Sequence, residues 1–133
     1  MRFVLDASIT ITWALRVEGH PIADLALERL GSGSAIVPAI WWYEVRNILV
    51  LNERRGRIAP DDSIRFLLDL QNLSITIDLQ LGSPEILDLS RKYGLSVYNA
   101  AYLALAHREH VPLSTLDGNL IAAAGAAGVP LLA

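Results

Sequence analysis

Apolar residues along this chain alternate between short runs and longer periodic stretches. Arg2–Leu5 (RFVL) is a brief apolar run that stops at Asp6, the pattern of a buried strand. Ser8–Val17 and Ile22–Leu30 carry apolar residues at helical spacing, with His20 and Pro21 marking the break between them. After the loop GSGS, Ala35–Val37 reads as a second strand closed by Pro38. Ala39–Arg55 predicts a long helix that Gly56 can terminate. Pro60 opens another, from Asp61 to about Leu73, with acids in the first turn where the helix dipole favours them. Ser74–Leu79 (SITIDL) alternates and is β-branched, so it predicts a strand. A helix begins at Ser83, Pro84 and Glu85, runs to Tyr93 and stops at Gly94. Val97–His107 predicts a helix, Pro112–Thr115 a strand, Asn119–Ala127 a helix and Val129–Leu132 a last strand.

Strands that alternate with helices predict an α/β fold, a mainly parallel sheet covered on both faces as an α/β/α sandwich. Ligands of such sheets bind at the carboxyl ends of the strands, where the connections diverge. No repeat or low-complexity linker interrupts the pattern, and 133 residues (1–133) make one domain, long enough to bury a core without disulfides.

Composition narrows the picture. The hydrophobic fraction is 53% and the mean hydropathy +0.38, high enough to expect that a partner or a second copy covers part of the surface. The chain has no cysteine, which excludes thiolate catalysis, disulfides and cysteine-based zinc sites. MRFVLDASIT meets an aspartate too soon for a secretory signal, and the uncharged Leu120–Ala133 is too short to span a bilayer and is broken by Gly125, Gly128 and Pro130. The expected location is the cytoplasm, with no membrane partner. A net charge of −3 argues against wrapping duplex DNA by electrostatics alone.

Four residues carry the candidate chemistry. Asp6 follows the first strand and Asp117 the strand PLST, so both belong at the carboxyl edge of the sheet. Asn99, in VYNAAYLALA, lies in the first turn of its helix behind Ser96. Helix capping is the plain explanation for all three. Capping does not explain Glu44, which projects from the apolar stripe of its helix among Ile40, Trp41 and Ile48, with Arg46 turned elsewhere. A carboxylate there is costly unless it is paired or bound to a cation. A shared Mg²⁺ or Mn²⁺ would account for Glu44 and the two aspartates together, because these hard ions take carboxylates, water and phosphate oxygens. Such an ion also inverts the local potential, so an acidic protein can handle RNA.

VLDAS, the glutamate of WWYEVRN, VYNAAYLALA and STLDGNL together resemble the motifs of PIN domains, and most nearly the VapC-type toxins of toxin–antitoxin pairs. The resemblance spans essentially the whole chain in the right order. It implies a Rossmann-like α/β/α fold, Mg²⁺- or Mn²⁺-dependent endoribonuclease activity, a homodimer and neutralisation by a cognate antitoxin in a hetero-oligomer. DNA would be contacted only through the antitoxin. It also implies that Asp6, Glu44, Asn99 and Asp117 form the catalytic and metal-binding set, supported by Ser8, Thr115 and Asn119. At Asn99 the family usually has an aspartate (YDAAY). The amide keeps one neutral carbonyl oxygen but removes a full charge, so weakened or abolished cleavage is expected. The alternative is an inactive binding module that acts through the antitoxin complex and regulation of its own operon.

Other candidates carry less. His107 and His110 have the wrong spacing for a helical zinc pair and no third ligand, and His20 is expected to be exposed. Trp41, Trp42 and Tyr43 are consecutive and so cannot form one base-stacking platform. Arg54, Arg55 and Arg57 suit either the helix C-terminus or RNA phosphates. Tyr98 and Tyr102 read as packing residues. A haloacid-dehalogenase-type phosphotransferase would carry DxD after the first strand, where this chain has Asp6, Ala7 and Ser8. A receiver domain would need a late lysine, and Lys92, the only one, is misplaced. No glycine-rich phosphate loop follows Leu5.

Overall fold

The computed structural model describes residues 1–15, 20–81 and 83–133. Four parallel strands form the sheet: β1 (Arg2–Leu5), β2 (Ser34–Pro38), β3 (Ile75–Asp78) and β4 (Leu113–Ser114), in the order β3-β2-β1-β4. Among the described residues seven helices flank it: α1 (Ala7–Ala14), α2 (Pro21–Ser32), α3 (Ile40–Arg54), α4 (Pro60–Leu70), α5 (Glu85–Tyr93), α6 (Val97–Glu109) and α7 (Gly118–Ala127). Successive residues Phe3, Val4 and Leu5 are all fully buried. Neighbours on a strand point to opposite faces, so both faces of β1 are covered, as an α/β/α sandwich requires. The run RFVL is uninterruptedly apolar after Arg2 for that reason.

α6 packs on β1 and β2 and is buried through its middle, at Ala100 and from Tyr102 to Ala106. Each fully buried leucine of this kind contributes roughly 1.5–3 kcal/mol. The chain leaves β1 toward β2 on one side, whereas β4 joins β1 on the other. The connections therefore diverge between β1 and β4. The crevice outside the carboxyl ends of these two strands is where a ligand is expected in a sheet of this class.

Several predicted boundaries move. α4 ends at Leu70 rather than Leu73, because Gln71, Asn72 and Leu73 donate to carbonyls three residues back and tighten the chain out of the α-helix. β3 is shorter than Ser74–Leu79, and its pairing with β2 ends at Asp78 opposite Pro38. β4 holds only two of the four residues expected. α6 continues past His107 until His110, whose φ of 53° is left-handed and ends it. Gly94 ends α5 as predicted, with φ 62°. The last predicted strand, Val129–Leu132, is absent. A single bridge joins Leu131 to Leu113, and Pro130, which has no N–H, prevents a longer ladder. The predicted helix end at Val17 lies outside the described residues. No described helix is long and apolar enough to cross a membrane.

Candidate active site

Asp6 leaves β1 and occupies the N-cap position of α1, with extended backbone (φ −78°, ψ 149°), yet its carboxylate makes no capping bond. Oδ2 instead accepts two short hydrogen bonds, from Ser8 Oγ at 2.7 Å and from Thr115 Oγ1 at 2.6 Å. The residue is 4% exposed. Burial raises its carboxyl above the ordinary aspartate value, since a charge in a poorly solvated place is disfavoured. The two hydroxyls and the Ala7 amide oppose the rise, and the negative charge of Asp117 adds to it.

Both hydroxyls are themselves anchored. Ser8 Oγ accepts the Leu116 N–H at 3.0 Å, and Thr115 Oγ1 accepts the Asp117 N–H at 3.0 Å. The exits of β1 and β4 are thereby stitched together at the crevice. Asp117 caps α7 through Oδ1, which accepts the Leu120 N–H at 2.9 Å. Capping thus accounts for one oxygen of Asp117, and for neither oxygen of Asp6.

Glu44, half-buried on α3, accepts the Tyr102 hydroxyl on Oε1 at 2.8 Å. Its carboxyl is also raised: burial first, partly offset by the Tyr102 bond, then repulsion by Asp6. Tyr102 is fully buried, and its phenol is pushed far above the ordinary tyrosine value by burial and by the charges of Asp6 and Glu44. It stays a donor at any working pH. Arg46 does not answer these charges. Its guanidinium lies 3.5 Å from the Trp42 ring centre and donates to the Trp42 carbonyl at 3.0 Å. Among the described residues no ion pair involves Asp6, Glu44 or Asp117.

The remaining predicted residues have no described bond to this cluster. Asn99 is half-buried in the first turn of α6, its backbone N–H capped by Ser96 Oγ at 3.1 Å. It precedes Tyr102 by about one turn and shares that flank of the helix. No described hydrogen bond joins its carboxamide to Asp6, Glu44 or Asp117. Asn119 is exposed on α7 and borders a shallow depression with Tyr93 and Ala126, without a described bond to the cluster. The carboxylates feel one another without enclosing a point: among the described residues no three Asp, Glu or His side chains stand close enough to hold one ion between them.

Sequence reasoning missed Tyr102, which packs as expected but also bonds Glu44. The available signal was a phenol within an aliphatic helix, since a buried tyrosine hydroxyl generally needs a partner. It missed Thr10 as well. Trp41 is buried and donates its indole N–H to Thr10 Oγ1 at 3.0 Å, and that hydroxyl bonds the Asp6 carbonyl at 3.3 Å. Trp42 and Tyr43 are exposed and packed edge to face. His20 is half-buried rather than exposed, and His107 pairs with Glu85 at 2.6 Å.

The family model for the PIN domain matches residues 3–126. The chain belongs to the PIN domain family. This PIN domain is of the VapC type, being 30% identical over 123 residues to Ribonuclease VapC3 of Pyrobaculum aerophilum, across 90% of this chain and 92% of that one. Its fold matches the crystal structure of PAE2754 from Pyrobaculum aerophilum with a TM-score of 0.72 at 22% identity, covering 92% of this PIN domain and 84% of that chain. A toxin–antitoxin complex from Klebsiella pneumoniae matches with a TM-score of 0.55 at 21% identity, covering 85% and 83%.

Proposed function

We propose that this PIN domain is a divalent-metal-dependent endoribonuclease toxin, held in check by a cognate antitoxin, whose cleavage is weakened or abolished by Asn99. The observation that carries the reading is the uncompensated charge of Asp6, Glu44 and Asp117 at the divergent edge of the sheet, two of them raised by burial with no basic partner described. Buried carboxylates in that state favour a cation. Oxygen-only donors suit Mg²⁺ or Mn²⁺, and Mg²⁺ commonly takes one or two carboxylates and completes its shell with water and phosphate oxygens. That no three acids close a cage among the described residues is therefore compatible with an ion shared with the substrate. Asp6, Glu44 and Asp117 would hold it, with the Asn99 carbonyl as a neutral contributor and Ser8 and Thr115 orienting Asp6.

When bound, the ion supplies Lewis-acid polarisation of the phosphodiester and relieves its repulsion by the carboxylates. The chain's own residues do the rest. Two hydroxyls fix Asp6, the α7 cap fixes Asp117, and the Tyr102 phenol fixes Glu44, so little reorganisation accompanies binding. An aspartate at 99 would add a charge and a strong acceptor on the flank of α6, and the amide supplies neither. The same residue supports a second reading, a binding module without turnover acting in the antitoxin complex. As partners we propose the antitoxin, single-stranded RNA and a second copy of the chain, in the cytoplasm, with DNA reached only through the antitoxin.

The test is end-labelled single-stranded RNA with Mg²⁺ or Mn²⁺, with and without EDTA, for the chain and for Asn99→Asp. Chelator-sensitive cleavage that rises about a hundredfold or more in Asn99→Asp is the expected result, the scale at which a positioned acid–base group acts. Equal cleavage by both chains would remove the role given to Asn99. No cleavage by either, with tight antitoxin binding, would favour the binding module.

A further inference from the structure

Tyr102 is fully buried on α6, whose Leu103, Leu105 and Ala106 are buried as well. A phenylalanine would bury the same ring without desolvating a hydroxyl, so the hydroxyl is retained at a cost that only its hydrogen bond offsets. That bond goes to Glu44 Oε1 at 2.8 Å, across from α6 to α3. Glutamate has a long, flexible side chain, and this one is half-buried and repelled by Asp6. Left alone it would swing toward solvent. No other described hydrogen bond or ion pair holds its carboxylate.

We infer that Tyr102 is a positioning residue: it holds the Glu44 carboxylate toward Asp6, ties Oε1 and leaves Oε2 free to meet a divalent cation. The assignment rests on the metal-site reading above and deepens it. One hydroxyl on α6 thereby converts a mobile side chain on another helix into a fixed oxygen of the crevice.

The experiment compares the full chain with Tyr102→Phe, Glu44→Gln and the double variant, using Mn²⁺ alone as probe and following free Mn²⁺ by electron paramagnetic resonance. A crystal structure of Tyr102→Phe accompanies the titrations. The expected result is Mn²⁺ affinity lower by about tenfold in Tyr102→Phe, the scale at which partners of metal ligands act. The same change should have little effect in the Glu44→Gln background, and Glu44 should be displaced from Asp6 in the crystal. Equal affinity of the full chain and Tyr102→Phe would overturn the assignment, as would an equal loss in both backgrounds. A full chain that binds no Mn²⁺, with Glu44 displaced in Tyr102→Phe, would overturn the metal reading alone and leave the positioning role standing.

Discussion

Replacing Thr115 by valine removes one hydroxyl from the stitch between β1 and β4 while keeping the volume of the side chain. The hydroxyl gives a 2.6 Å hydrogen bond to the buried Asp6 carboxylate and receives the Asp117 N–H at 3.0 Å. A bond to a charged group contributes about 1.5–3 kcal/mol, and the stranded amide, only partly buried, adds about 1 kcal/mol. The expected loss is therefore about 2.5–4 kcal/mol at neutral pH, or about 8–12 °C in Tm for a domain of this size. The loss should depend on pH. The Thr115 bond lowers the Asp6 carboxyl that burial has raised, so its removal raises that carboxyl further. The penalty is then greatest at pH values where Asp6 is ionised in both folded proteins. It should shrink as pH falls from the variant's higher folded-state value to the parent's, and should be smallest below both. Thermal unfolding followed by circular dichroism between pH 4 and 8 measures this. A loss that is equal at both ends of that range would show that the hydroxyl stabilises something other than the ionised carboxylate.

Other outcomes follow from the same geometry. Mn²⁺ should raise the Tm of the chain at neutral pH, by about 2.7 kcal/mol of stability at a hundredfold excess over its Kd, and EDTA should reverse it; no shift on a thermal scan would count against the ion. Gly94→Ala should destabilise by about 1–2 kcal/mol, because the position has φ 62° and nothing within 4 Å to clash with a methyl, so the whole cost is conformational. A neutral urea melt would contradict the left-handed cap.

The alternation of apolar runs was enough to read the α/β class and the order of elements, because each strand of a covered parallel sheet is apolar on both faces. Phe3, Val4 and Leu5 show it directly. Ends were less legible. The three-residue turns after Leu70 and the single bridge at Leu131 depend on which carbonyls and amides meet across the fold, and local pattern does not encode that. Within the site, Asp6 and Asp117 could be placed from the strands they follow. Tyr102 could not be joined to Glu44, since their meeting depends on how α3 and α6 pack over a separation of 58 residues.

The polarity of the hydrogen bonds around Asp6 bears on where an amide can enter this crevice. Ser8 and Thr115 have each already taken a main-chain hydrogen and give their own proton to the same atom, so the Oδ2 position of residue 6 must be an acceptor. An asparagine there could satisfy both hydroxyls only with its carbonyl oxygen in the Oδ2 position and its NH2 turned away from them. Position 99 has no such network described around its side chain and imposes no direction. An amide at position 6 would be held in one orientation by its neighbours, and the one at position 99 is not.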